Sequence, residues 1–213
     1  LLSLLLPSRL MTAKAGSGIQ ESTSRDVSGK NQYNAQDWTE KVRTVIMMGN
    51  MDSEKGVTLF TDEPEPPLTK HCEPFEYVFM AEKVNCLYDT RYLAKEGNPG
   101  KAETTQIIGF SDGRLVDFES IPFWCDMFIG PSYLDEKNPA WCPTLQMEIQ
   151  FKSKIQNTQQ ILTHFLVPHI INSRYDVDGQ IWDMNGKLLA LTRHQCLIVP
   201  WSKNSMVARK NKI

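Results

Sequence analysis

The stretch from Arg174 to Val199, RYDVDGQIWDMNGKLLALTRHQCLIV, limits the fold more tightly than any other part of the chain. Apolar and polar residues alternate on both sides of an Asn-Gly pair, the strongest short-range signal of a β-hairpin. With Asn185 and Gly186 as the two central turn residues, Met184 faces Lys187, Trp182 faces Leu189, Gly179 faces Thr192 and Val177 faces His194. One face then carries Tyr175, Val177, Gly179 and Ile181 beside Ala190, Thr192, His194 and Cys196. On the other, Asp178 stands opposite Arg193, a charge pair worth about 0.2–1 kcal/mol that argues against a one-residue slip. The same alternation turns a titratable side chain, His194, inward.

What surrounds this hairpin is bounded by composition. The chain has 213 residues, a hydrophobic share of 41% and a formal net charge of -2. That describes one ordinary globular domain or two small ones, with no excess of positive charge to attract nucleic acid. No run approaches the roughly 18 apolar residues of a membrane-spanning helix. Five cysteines without a CxxC pair suggest neither a disulfide framework nor a metal site, and a reducing, cytoplasmic setting is expected. The opening LLSLLLPSRL lacks the basic leader of a signal peptide and is broken by Pro7; the chain starts without methionine and reads as shortened at this end. The basic tail, residues 202–213, ends with only a distant likeness to a peroxisomal address.

Residues 11–37 carry weak alternation. In KVRTVIMMGNMDSEKGVTLF two β-rich runs flank a Gly-Asn connection, which predicts a second hairpin. TDEPEPPLTKHCEP follows, with four prolines in fourteen residues, and reads as a connection. A strand ending near Phe110 precedes a Ser-Asp-Gly turn and a run with Phe118, Ile121, Cys125 and Phe128 at helical spacing. Asp117 or Ser120 can cap that helix, Pro122 must lie in its first turn, and its apolar surface places it in a core. In TLQMEIQFKSKI, Leu145, Met147, Ile149 and Phe151 alternate with Gln146, Glu148, Gln150 and Lys152 as in a half-buried antiparallel strand. QQILTHFLVPHII is another strand, and Pro168 argues for an edge position or a bulge. One apolar helix among long antiparallel strands describes an α+β fold, a sheet curled around a helix. Ile121, Cys125 and Phe128 are expected to pack on Met147, Ile149 and Ile181.

GFSDGRLVDFESIPFWCDM, PTLQMEIQFK and GQIWDMNGKLLALTRHQCLIV together resemble successive blocks of thioesterase-like proteins related to acyl-CoA thioesterase II. The resemblance spans residues 103–199 and implies a hotdog fold, an antiparallel sheet wrapped around a central helix, here a partial double hotdog. It divides the chain into an incomplete first hotdog half (1–66), a connecting segment (67–102), a C-terminal hotdog domain (103–201) and the tail. It also implies an acyl-CoA or other acyl-thioester substrate, lipid metabolism, no cofactor, and self-association by pairing of sheets.

In the family, an Asp, a Ser or Thr, and a Gln near the end of the hairpin hold and activate the water that attacks the thioester. Alignment on Phe151 sets Gln146 at the Asp position, and counting from Gly186 sets Pro168 at the Ser/Thr position and His194 at the Gln position. None of the three matches in type. His194, Gln146 and Thr192 are therefore the candidate catalytic residues, and Gln195, His169 and Trp124 the candidate substrate contacts. Each has a plainer reading: His194 as a hydrogen-bonded structural histidine, Gln146 as a solvated strand residue, His169 as a loop-edge residue and the PFWCDMF run as core. Two functions follow, hydrolysis with His194 orienting or deprotonating water, or a catalytically silent hotdog that binds an acyl chain or serves as a structural subunit.

Overall fold

The computed structural model describes residues 10–15, 42–47, 49–60, 62–77, 80–93, 100–128 and 140–200, within two compact units, Leu1–Val57 and Thr58–Ile213. In the first unit, β1 (Leu10–Ala15) and β2 (Val42–Met47) form an antiparallel ribbon with Leu10 opposite Met47 and Ala15 opposite Val42. This corrects the second hairpin predicted above. Residues 57–60 form no strand, and Val57, Leu59 and Phe60 are exposed. A β-branched run specifies a strand but not its partner.

The second unit contains, in chain order, β3 (Cys72–Phe75), β4 (Val84–Asp89), β5 (Glu103–Phe110), helix α1 (Ile121–Cys125), β6 (Ala140–Trp141), β7 (Thr144–Phe151), β8 (Gln160–Leu166), β9 (Ile170–Ile171), β10 (Arg174–Asp183), β11 (Leu188–Leu197) and β12 (Val199–Pro200). Eight of these strands make one antiparallel sheet in the order β3-β4-β5-β8-β10-β11-β7, with β9 on the end of β10. Residues 67–102, expected to be a connection, thus supply two strands. Of the four prolines in residues 61–74, three lie before the strands and Pro74 enters β3, at the rim of the sheet where a missing N–H is tolerated. Strand β8 is not at an edge: it runs between β5 and β10 and ends at Leu166, leaving Pro168 in the connection to β9.

The β10–β11 register follows the alternation, with Val177 opposite His194, Asp178 opposite Arg193 and Gly179 opposite Thr192. Arg193 Nε donates to Asp178 Oδ1 at 2.7 Å. The turn differs. A register shift between Ile181 and Trp182 sets Trp182 against Leu188, and the hairpin closes through a three-residue loop in which Gly186 N–H donates to the Asp183 carbonyl. Gly186 has a φ of 83°, the left-handed value that glycine supplies at the bulge of such loops. Asp183 Oδ1 accepts the N–H groups of Asn185 and Lys187, which ties the loop to the strand end.

One face of the sheet packs Ile108, Ile161, Phe165, Val177, Ile181 and Ala190 with Ile121, Trp124 and Cys125 of α1. Neighbouring residues on the opposite face, Leu162, Trp182 and Leu188, form a second cluster with Ile107 and Leu191. The helix is shorter than its apolar spacing suggests. Ser120 is its N-cap residue and Pro122 lies in its first turn, while Asp117 Oδ1 accepts the Ser120 N–H at 2.8 Å. Phe118 lies before the helix, stacked on Phe151 at 4.6 Å, and Phe128 lies beyond it, half-buried against the core. The expected contacts of Ile121, Cys125, Phe128, Ile149 and Ile181 with one core are present. Met147 departs from them: it is 41% exposed on β7, the last strand of the sheet among the described residues. Among the described residues no helix is long and apolar enough to cross a membrane.

Candidate functional site

His194 is completely buried on the helix-facing side of β11. Its Nε2 lies 3.0 Å from Thr192 Oγ1, and that hydroxyl donates to the Glu148 carbonyl at 2.8 Å. The other nitrogen, Nδ1, has no hydrogen-bond partner and faces Asp126 Oδ1 at 3.7 Å. Thr144 Oγ1 donates to the same carboxylate oxygen at 3.4 Å and lies 3.7 Å from Cys196 Sγ. A carboxylate, a hydroxyl and an imidazole, from three separate elements, therefore meet at the end of α1.

Each group is placed by the local fold. Asp126 is the C-cap residue of α1, its N–H bonded to the carbonyls of Phe123 and Trp124. The next residue is held from the sheet: Gln106 Nε2 donates to the Met127 carbonyl, and Tyr77 donates to Gln106 Oε1 at 2.9 Å. Gln106 and Tyr77 are buried, so this network fixes the chain that carries Asp126. The Phe128 ring meets the imidazole edge-on, with centroids 5.2 Å apart.

Thr144 reaches the site through an irregularity. Gln195 pairs with Gln146, but Cys196 pairs with Thr144, so Leu145 is an extra residue in β7. This bulge brings Thr144 to the inner face beside Cys196; in an unbroken ladder Thr144 would oppose Leu197 and point the other way.

Burial governs the titration of both ionisable members. It pushes the His194 imidazole down to about 4, against a smaller opposing pull from the Cys125 carbonyl. The ring is neutral at neutral pH. Burial raises Asp126, opposed by the hydrogen bond from Thr144. Its side chain is still 57% exposed, so the carboxylate is the member that solvent and substrate can reach.

Of the residues singled out by sequence, the structure brings His194 and Thr192 together. Gln146 and Gln195 face one another across β7 and β11, exposed, on the opposite side of the sheet. Trp124 is buried in the core with its indole N–H on Ser120 Oγ at 3.1 Å. His169 is half-exposed, 3.4 Å from Asp176 at the far end of β10. Asp126 and Thr144 were not singled out. The available signal for Asp126 was a lone carboxylate in the apolar run PFWCDMF; Thr144 gave none, since alternation cannot show a bulge. Among the described residues no three His, Cys, Asp or Glu side chains converge as a metal site requires. A cleft of about 380 Å³ opens elsewhere, between Phe110, Arg114, Phe123 and Lys83, and contains no member of the Asp126 cluster.

A long antiparallel sheet carrying a buried helix on one face, with polar groups gathered at the helix end, defines a hotdog-fold protein. Solved structures agree. A conserved hot dog protein of unknown function from Alicyclobacillus acidocaldarius is 18% identical with a TM-score of 0.57, covering 74% of this chain and 62% of its own. A putative thioesterase II from Thermobifida fusca is 15% identical with a TM-score of 0.61, covering 76% and 64%. An acyl-CoA thioesterase II from Mycobacterium marinum is 16% identical with a TM-score of 0.51, covering 70% and 60%. The chain thus spans less than two thirds of the length of these structures. More particularly, it belongs to the acyl-CoA thioesterase C-terminal domain family, whose model matches residues 54–198. No curated protein sequence matches it.

Proposed function

We propose that the protein hydrolyses acyl thioesters, with acyl-CoA as the substrate class, at the site formed by Asp126, Thr144 and His194. The observation that carries this reading is the convergence of those three side chains at the end of α1. They supply a carboxylate and a hydroxyl, the group types of the family's site, but from the end of α1 and from β7 rather than from the aligned positions Gln146 and Pro168, with His194 where the family has Gln. In this reading Asp126 is the general base. It takes a proton from a water whose oxygen adds to the thioester carbonyl; the C–S bond then breaks, and the departing thiolate recovers the proton. Thr144 steadies the carboxylate, and neutral His194 forms the inner wall that holds the water.

The test is release of free CoA across a series of acyl-CoA chain lengths. Wild-type protein should turn over, and Thr144→Val should slow by about 10- to 100-fold, the worth of a hydrogen bond to a charged group. No turnover at any chain length would leave the silent, acyl-binding hotdog as the better reading, and an unaffected Thr144→Val would remove Thr144 from the site.

The same reading includes self-association. Among the described residues β7 is the last strand of the sheet, with Leu145 and Met147 exposed on it, and a second copy pairing there would cover the site from the open side. The solution mass should correspond to two chains; a monomer at micromolar concentration would remove this part of the proposal.

A further inference from the structure

Read from the Glu148 carbonyl, the hydrogen-bond chain behind His194 runs in one direction, against the weaker pull of the Cys125 carbonyl on the ring. The Glu148 carbonyl can only accept, so the single proton of the Thr192 hydroxyl is committed to it at 2.8 Å. Toward the imidazole, 3.0 Å away, Thr192 Oγ1 then has only lone pairs to offer, and Nε2 must carry the ring proton. The neutral ring bears one proton, so Nδ1 presents a lone pair. That nitrogen is the buried, unpartnered atom that faces Asp126 Oδ1 at 3.7 Å. Two acceptors at this separation cannot bond each other directly. A molecule with two hydrogens to give, such as water, satisfies both.

From this geometry we infer that Thr192 is a positioning residue that holds His194 in the Nε2–H tautomer, so that Nδ1 and Asp126 together accept both hydrogens of the attacking water. Water held in this way keeps an oxygen lone pair free for the carbonyl. Thr192 touches neither water nor substrate; it acts through the ring. The inference deepens the hydrolytic reading and rests on it for its catalytic meaning, but the tautomer itself is a property of the resting protein.

The competing tautomer has Nδ1–H aimed at the Asp126 carboxylate or the Cys125 carbonyl, with Nε2 accepting from Thr192. Long-range ¹H–¹⁵N spectra of protein labelled with ¹⁵N-histidine separate the two, because protonated and bare ring nitrogens resonate far apart. The signal of His194 among the chain's four histidines is identified by its loss in His194→Gln. Wild type should show His194 neutral and protonated on Nε2 at pH 7. Thr192→Val, which keeps the shape and removes the acceptor, should shift the ring toward Nδ1–H and lower acyl-CoA turnover by about 10²-fold or more, whereas Thr192→Ser should restore both. A wild-type ring protonated on Nδ1, or a Thr192→Val protein whose tautomer is unchanged, would overturn the inference. If the tautomer behaves as stated while the wild type hydrolyses no acyl-CoA, the hydrolytic reading fails and the positioning of His194 by Thr192 stands.

Discussion

Replacing Asp126 with Asn should lower acyl-CoA turnover by about 10²–10⁴-fold and leave the protein folded. The amide has the shape of the carboxylate and can still accept from Thr144, but it cannot take a proton from water. Asp126 is 57% exposed at the helix end, so no packed side chain depends on its charge. Burial disfavours the ionised form, so Asn should be neutral or slightly stabilising here. The pH dependence of the wild type gives the companion result. A base whose pKa is raised is lost to protonation at a higher pH than an ordinary carboxylate, and turnover should fall on the acid side in a single step. His194, pushed down to about 4, should add no step near the usual histidine value of 6.5. Turnover by a folded Asp126→Asn protein equal to that of wild type would remove Asp126 from the chemistry.

The second large effect concerns stability in acid. The unfolded chain protonates residue 194 at about 6.5, and the folded chain resists until about 4. Between those values the unfolded state binds the additional proton, so stability falls as pH is lowered through that window and is fully present above it. The difference of about 2.5 units corresponds to about 3 kcal/mol at pH 4 and below. No discount for solvent applies, since the ring is fully buried. Facing it are Asp126 and the Cys125 carbonyl from α1, the Phe128 ring beyond the helix and Thr192 from the sheet; the raised Asp126 works in the opposite sense and more weakly, being half-exposed. Urea unfolding at a series of pH values should therefore show wild type losing stability between pH 6.5 and 4, with His194→Gln markedly flatter. Parallel curves would mean that the ring is charged in the folded state.

What the sequence reveals depends on the range of the signal. Alternation is local and covalent in origin, so the pairing of Val177 with His194 and of Asp178 with Arg193 could be read directly, as could the burial of Ile121, Trp124 and Cys125. The partner of β2 could not, because a strand advertises its faces and not its neighbour. Strands β3 and β4 are four and six residues long beside a proline-rich segment, and their apolar content is too small to stand out from a linker. The candidate site was half legible. His194 was conspicuous as a titratable residue in an inward phase, whereas Asp126 lay at the end of a helix of only five residues, with no second turn to show which way it faced. Gln146 drew attention by its place in an alignment, yet its phase in the strand turns it away from the helix.

The extra residue in β7 has a consequence for anyone comparing this chain with its relatives. Residues from Gln146 to Phe151 keep one phase with β11, and Thr144 keeps the other. A gap-free match anchored on Phe151 therefore counts correctly along most of the strand and then assigns the hydroxyl to the wrong wall of the sheet. Two sequences can share every functional group here and still look unrelated at this strand, because the property they share is which side of the sheet a group faces, and its distance along the chain can differ by one.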